Sequence, residues 1–153
     1  MSQCNNIVEL PNEILLKEVE KLISEGHDVT LRVRGVSMRP FIEDRRDKIV
    51  LTRPGIPKVG DAVLAEIAPG KYVYHRICKI DGKRVELRGD GNIYGTEECE
   101  VENIVASTKF IVRKGRRYSP QGKVWSVYSL LWPTWPIARR VWLKLYRMLK
   151  LYR

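Results

Sequence analysis

Residues 71–89, KYVYHRICKIDGKRVELRG, decide the class of fold that the sequence predicts. Two runs rich in β-branched and aromatic side chains flank the pair Asp81-Gly82, and this arrangement is typical of a tight β-hairpin. No long amphipathic helical pattern occurs between residues 29 and 114, so we predict a β-rich body. Further short strand-like runs, bounded by glycine, proline or aspartate, lie at residues 28–35, 48–53, 61–67 and 107–115.

A helix is predicted on each side of this body. Residues 10–26, LPNEILLKEVEKLISEG, have a proline suited to a first helical turn, apolar residues at helical spacing and a glycine at the end. From residue 137 onward, apolar residues again recur at helical spacing. The predicted fold is mainly β with flanking helices. It has an N-terminal helical segment at 1–28, a β-rich domain at 29–118 and a basic, tryptophan-rich tail with an amphipathic helix at 119–153.

The net charge of +10 is concentrated in the last third of the chain. Residues 1–102 contain 16 lysines and arginines and all 18 acidic residues, whereas residues 103–153 contain 12 basic residues and no acid. The overall composition, 44% apolar and 30% charged over 153 residues, fits one folded domain rather than a disordered chain. The basic character therefore describes the tail and says little about the body.

The tail has the composition of a helix that lies in a membrane interface. A tryptophan-rich segment broken by prolines precedes a basic amphipathic helix. The longest uncharged run, residues 124–138, is shorter than a membrane-spanning helix needs, so we expect peripheral contact, with anchoring through the C-terminal segment as the alternative. A further alternative is a helix docked on the sheet with its basic side in water. The predicted contact residues are Trp125, Trp132, Trp135 and Trp142, and the predicted polar face is Arg139, Arg140, Lys144, Arg147, Lys150 and Arg153.

Ser37, in the motif GVSMRP at residues 35–40, is the candidate nucleophile. A serine hydroxyl attacks a carbonyl efficiently only when a neighbouring base accepts its proton. The chain contains two histidines that could serve as this base. His27 follows the predicted N-terminal helix and is interpreted as a turn residue, whereas His75 lies within a strand-like run and is the candidate base. Taken alone, neither Ser37 nor His75 is specific for catalysis.

The three cysteines, Cys4, Cys78 and Cys99, are widely spaced and form no CxxC motif. This pattern argues against a zinc site or a disulfide scaffold, so we expect reduced thiols, no metal and no cofactor. The N-terminus shows no basic region followed by an apolar run. We therefore expect no signal peptide and a cytoplasmic location, peripheral at the membrane.

Three segments occur in an order that resembles the conserved motifs of type I signal peptidases. They are GVSMRPFI (35–42), VGDAVLAEI (59–67) and YVYHRICKIDGKRVELRGDGN (72–92). A histidine at position 75 is similar to the endoplasmic-reticulum and archaeal branch, because bacterial members and the SOS-type repressors of the same fold use lysine. The resemblance implies a signal-peptidase-like β fold. It also implies a serine endopeptidase that cuts a leader or signal peptide from a precursor protein after small residues.

The same resemblance implies roles for individual residues. Ser37 matches the nucleophile, His75 the general base, and Asp90 an acid that would orient the imidazole. Met38 and Pro40 would shape the substrate cleft.

The chain departs from the family pattern at two places. Histidine-type members place a second aspartate shortly after the Gly-Asp pair, where this sequence has Thr96, Glu97 and Glu98. We favour Asp90 as the orienting acid, with the glutamates as alternatives. Many members also carry a hydroxyl residue at the position of Gly35, where it helps to bind the oxyanion. We therefore expect backbone N–H groups, including that of Ser37, to take this role.

The alternative function is a catalytically silent relative that binds a membrane or nucleic acid through its basic tail. The helix predicted at residues 11–25 leaves no room for a helix-turn-helix domain, so we expect no sequence-specific nucleic-acid binding. Nonspecific binding by a basic tail would depend strongly on salt.

Overall fold

A computed structural model of the chain describes residues 12–134 and 136–151. These residues form a β-rich body with helices on either side, which confirms the predicted class of mainly β with flanking helices. In chain order the elements are α1 (Asn12–Ser24), β1 (Val29–Arg32), β2 (Lys48–Thr52), β3 (Ala62–Ala68), β4 (Lys71–Asp81), β5 (Arg84–Arg88), β6 (Glu97–Glu100), a 3₁₀ turn (Val101–Asn103), β7 (Ile104–Arg113), β8 (Arg116–Tyr118), α2 (Lys123–Thr134) and α3 (Pro136–Leu151).

The strands form one antiparallel sheet in the order β1-β2-β7-β3-β4-β5-β6, and β8 pairs with β7. The predicted hairpin is present between β4 and β5, where Asp81 pairs with Arg84. Gly82, inside the turn, has a φ of 58°, a conformation that glycine adopts without a steric penalty. The stretch from which we predicted the fold therefore forms the hairpin at the centre of the site described below.

Three elements differ from the sequence prediction. The sequence of β6, EECE, does not predict a strand because glutamate is depleted in strands. Hydrogen-bonded pairing with β5 makes this segment a strand despite its low intrinsic propensity. β8 is a three-residue strand that was also not predicted. α2 occupies the segment that we had interpreted as broken by prolines. The predicted N-terminal helix is present as α1, and Pro11 lies outside the described residues.

Two clusters of buried apolar residues make up the core. The larger one joins α1, through Val19 and Ile23, to the loop after β1 and to Trp125 of α2. The smaller one lies among β3, β4, β5 and the start of β7. Its members are Val63, Ala65, Ile77, Val85, Leu87 and Ile104.

Trp125 fastens the C-terminal helices to the body. Its side chain is 3% exposed and packs edge to face on Phe41, with ring centroids 5.2 Å apart. Leu143 in α3 is also buried. The segment predicted as a tail is thus attached to the body through buried residues of both helices. None of the described helices is long and apolar enough to cross a bilayer.

Two tryptophans of this segment provide a matched test of the packing. Trp125→Ala should lower the free energy of unfolding by about 3–5 kcal/mol, because it removes a large buried side chain. Trp142 is 60% exposed, and Trp142→Ala should change the same quantity by less than about 0.5 kcal/mol. Urea unfolding followed by far-UV circular dichroism measures both. Equal, small effects would show that α2 is not part of the cooperative core.

Candidate functional site

Ser37 lies in the loop between β1 and β2. The two ends of this loop are joined because the Val33 N–H donates to the carbonyl of Asp47 at 3.0 Å. The neighbouring Met38 side chain is 2% exposed and belongs to the larger core cluster. A loop closed at its ends and anchored beside the serine holds Ser37 in a defined position while leaving its side chain partly exposed.

The backbone beside Ser37 has an unused donor. Gly35 has a φ of 95°, so a residue with a side chain would be strained at this position. The backbone N–H of Ser37 makes no hydrogen bond with any residue that the structure describes. The role in oxyanion binding that we expect for this N–H stays a prediction.

His75 lies in the middle of β4, opposite Val63 of β3, and is 6% exposed. Its Nδ1 lies 2.9 Å from Oε2 of Glu97, the first residue of β6. A hydrogen bond at Nδ1 fixes the orientation of the ring, and with the carboxylate as acceptor it places the proton of the neutral ring on Nδ1. Nε2 is then the nitrogen that can accept a proton.

The loop between β5 and β6 brings the serine and the histidine together. The Gly91 N–H donates to the carbonyl of Ser37 at 2.7 Å. A methyl group added at Gly89 would lie 2.5 Å from that carbonyl oxygen and 3.0 Å from Nε2 of His75. The unsubstituted Gly89 is therefore what allows this loop, the Ser37 backbone and the Nε2 side of the imidazole to meet.

Ser37 and His75 line one cleft of about 390 Å³. No hydrogen bond joins the Ser37 hydroxyl to the imidazole among the described residues. Met38, predicted to shape the cleft, is one of its lining residues, whereas Pro40 is not among the described residues that line it. The aliphatic part of the wall consists of Leu15, Leu16, Leu31, Val33, Met38, Ile49, Leu64 and Val73.

Asp90 does not make the contact that we predicted for it. Its carboxylate accepts two hydrogen bonds from Arg76, both at 2.7 Å, and a third from the Tyr128 hydroxyl at 2.8 Å. The contact with His75 belongs to Glu97, one of the alternatives that the sequence left open. Glu98, in contrast, lies 3.3 Å from Arg84 in an exposed ion pair. The predicted contact between Asp90 and His75 is therefore corrected to one between Glu97 and His75.

Arg76 forms a buried network on the other side of β4, since neighbouring strand residues point to opposite faces. Its Nη1 donates to the Gly60 carbonyl at 2.9 Å and to the Ser129 hydroxyl at 2.6 Å, and its guanidinium lies 4.5 Å from the Trp125 ring centroid. Burial opposes the charge of Arg76, yet the hydrogen bonds and charge of Asp90 outweigh burial and raise the pKa of the guanidinium. The guanidinium thus stays ionised.

The C-terminal helices bind the loop that carries Gly89 and Asp90. Trp132 donates from Nε1 to the Asp90 carbonyl at 3.0 Å. Arg139 donates from Nη2 to the carbonyl of Gly89 at 3.0 Å and also to that of Asn92. We had placed Arg139 on the polar face of the helix, but it is buried, and burial lowers the pKa of its guanidinium. Nothing in the sequence separates Arg139 from the exposed arginines beside it.

The spacing of one helix face could have revealed part of this contact. In α2, the residues that meet the body recur at helical intervals of three and four: Trp125, Tyr128, Ser129 and Trp132. This pattern is present in the sequence, where the prolines near its end indicate a broken segment.

Comparison of the chain with family models, curated proteins and solved structures finds no match.

Gly89 provides a steric test of the site. Gly89→Ala places a methyl group 2.5 Å from the Ser37 carbonyl oxygen and 2.9–3.0 Å from side-chain nitrogens of Asn92 and His75, so the loop must shift. We expect a loss of about 1–3 kcal/mol in the free energy of unfolding and displaced imidazole resonances of His75. Gly55→Ala is the control, because a methyl group there meets nothing within 4 Å. Unchanged resonances in Gly89→Ala would contradict the close approach.

Asp90 provides an electrostatic test. Asp90→Ala leaves the buried Arg76 without its counter-ion, and we expect the free energy of unfolding to fall by about 3–5 kcal/mol. Glu98→Ala removes an exposed partner of Arg84 and should cost less than about 1 kcal/mol. Denaturant unfolding of both variants distinguishes a structural carboxylate from a dispensable one. A loss for Asp90→Ala no larger than that for Glu98→Ala would contradict the role assigned to the pair.

Proposed function

We propose that the chain is a serine endopeptidase in which Ser37 is the nucleophile, His75 the general base and Glu97 the acid that orients His75. One observation carries the proposal: Ser37 and His75 line the same cleft, and Glu97 binds the imidazole on its Nδ1 side, which leaves Nε2 as the proton acceptor. The order of the motifs, which resembles that of type I signal peptidases, supports the same activity. We extend the proposal to a signal-peptidase-like fold on this ground.

The reaction would proceed in two stages. The Ser37 hydroxyl attacks the carbonyl carbon of the scissile peptide bond as His75 Nε2 takes its proton. The imidazolium then returns this proton to the departing amine, the carbon–nitrogen bond breaks, and an ester to Ser37 remains. Water, activated by the same nitrogen, hydrolyses the ester and restores the serine. Glu97 stabilises the imidazolium that exists between these transfers.

The negative oxygen of each tetrahedral intermediate needs donors. The backbone N–H of Ser37 is the candidate, because it makes no hydrogen bond with any described residue. Gly35 supplies no side-chain donor.

The substrate that the cleft fits is an extended apolar peptide. Eight of its fourteen lining residues are aliphatic and come from α1, β1, the Ser37 loop, β2, β3 and β4, and Arg32 and Arg34 also line it. A leader or signal peptide of a precursor protein has this apolar character. Cleavage after small residues follows from the resemblance alone and belongs to the same proposal.

The dependence on the two reacting residues is tested directly. Ser37→Ala and His75→Ala should each abolish cleavage of a peptide library read by mass spectrometry, while circular dichroism shows that both variants remain folded. Cleavage by Ser37→Ala at the rate of the parent chain would overturn the peptidase proposal. That outcome would favour the alternative, a catalytically silent protein acting through its C-terminal surface.

Substitutions of the neighbouring residues Glu97 and Glu98 test which carboxylate orients His75. In Glu97→Gln the amide replaces a charged acceptor at Nδ1, and we expect kcat/KM to fall on the order of 100-fold. Glu98→Gln changes the same charge one residue away and should keep parental activity. Cleavage kinetics on any peptide identified in the library provide the measurement. Equal rates for Glu97→Gln and the parent chain would remove Glu97 from the mechanism.

A further inference from the structure

The outward side of α3 is apolar. Six residues on it are between 44% and 78% exposed: Ile137, Val141, Trp142, Leu145, Met148 and Leu149. Their spacing of three, four and five places them on one side of the helix. A helix at the surface of a soluble body ordinarily turns such a stripe toward the core, so its exposure requires a reason.

The inward side of α3 is fixed by polar contacts and one buried leucine. Arg139 donates to the carbonyls of Gly89 and Asn92, and the Tyr146 hydroxyl donates to the Glu43 carboxylate. Leu143, between them, is 2% exposed. Rotating α3 to bury its apolar stripe would break these contacts and bring Arg139 into water. The stripe therefore belongs on the outside.

α2 also has an apolar side turned away from the body. Its inward residues bind Arg76 and Asp90, whereas Val124, Val127, Leu130 and Leu131 on its other side are 55–69% exposed. We call the outward sides of α2 and α3 together the outer apolar face.

Basic side chains border the outer apolar face. Arg140, Lys144 and Arg147 are exposed along α3, between its apolar stripe and its buried side, and none pairs with an acid among the described residues. Residues 103–153 contain no acidic residue at all. An apolar helical face with a row of cations beside it is complementary to a surface that is apolar within and negatively charged at its boundary.

We propose that the outer apolar face docks on an anionic lipid bilayer, with α2 and α3 lying in the plane of the interface. Apolar side chains would enter the acyl boundary while the three cations meet anionic headgroups. Nucleic acid offers phosphates to these cations but no layer to receive the apolar residues. A symmetric second copy would present the same acid-free helices and so offer these cations no anionic partner.

The outer apolar face does not contain all four tryptophans that the sequence predicts as membrane contacts. Trp125 is buried and Trp132 donates to Asp90, so neither is free to enter a membrane. Trp142 is exposed and lies on the outer apolar face, while Trp135 lies outside the described residues. Of the described tryptophans, Trp142 alone is thus a membrane contact in this proposal.

The charge requirement is tested by co-sedimentation of the full chain with vesicles. Vesicles of mixed phosphatidylglycerol and phosphatidylcholine should bind the chain, and vesicles of phosphatidylcholine alone should bind it much more weakly. The triple variant R140Q/K144Q/R147Q should lose affinity for the mixed vesicles roughly 100-fold. The control K48Q/K79Q/K83Q removes three exposed charges elsewhere and should bind as the parent does. Equal losses for both variants would overturn a specific basic border.

The apolar requirement is tested separately. V141S/L149S should abolish sedimentation with the mixed vesicles, while I56S/V59S, which alters two residues that are 88% and 62% exposed in another part of the chain, should not. Binding of V141S/L149S to vesicles as tight as that of the parent would overturn insertion. So would a parent chain that binds duplex DNA but no vesicles, or one that dimerises through this face in analytical ultracentrifugation and ignores lipid.

Trp142 reports where the face lies. Vesicles whose acyl chains carry bromine should quench the fluorescence of the parent chain, and Trp142→Phe should remove most of this quenching. Undiminished quenching in Trp142→Phe would place the contact elsewhere. None of these substitutions lies in the cleft, so peptide cleavage in solution should be unchanged. The docking proposal can therefore fail or hold independently of the proposed peptidase activity.

Discussion

The buried ion pair between Arg76 and Asp90 is the interaction on which the site depends. Two charged groups that are 2% and 3% exposed lose their hydration, a cost that only complete hydrogen bonding offsets. Arg76 meets this condition with Asp90, the Gly60 carbonyl and the Ser129 hydroxyl. The pair joins the centre of β4, the loop after β5 and the first C-terminal helix. Each hydrogen bond of the pair reaches a different element of the fold. The pair therefore specifies how these elements are arranged more than it adds to the free energy of unfolding.

Sequence neighbours in this region serve opposite sides of the sheet. His75 and Arg76 are adjacent, yet the alternation of a strand sends one to the cleft and the other to the C-terminal helices. The adjacent residues Gly89 and Asp90 in the loop after β5 also contact opposite sides. Gly89 lies against His75, whereas Asp90 binds Arg76. The hydrogen-bond network of Arg76 on one face of β4 thus fixes the position of His75 on the other face. Glu97, which arrives from β6, then fixes only the rotation of the imidazole ring.

The parts of the structure that sequence could predict are those encoded by short-range patterns. The hairpin at residues 71–89 has its own turn and strand residues, and α1 and α3 have apolar residues at helical spacing. No such pattern in the sequence decides between Asp90 and Glu97, because the decision depends on which basic side chain contacts each carboxylate in three dimensions. Arg76 follows His75 directly and takes Asp90. The four-residue β6 likewise owes its conformation to pairing with β5 rather than to its glutamates.

The side on which α3 is buried could not be predicted from its apolar stripe either. Hydrophobic burial favours turning that stripe inward, and for several side chains it amounts to more than one kcal/mol each. Two sets of polar contacts oppose this rotation. Arg139 is buried and donates to backbone carbonyls of the loop that carries Gly89, and Tyr146 is hydrogen-bonded to the buried Glu43. Leaving these polar groups unpaired would cost comparable amounts. The helices therefore do two things at once: their inward residues fasten the loop that positions Ser37 and His75, and their outward residues remain apolar. A surface that covers the outer apolar face would remove the remaining hydrophobic penalty without disturbing the polar contacts beneath it.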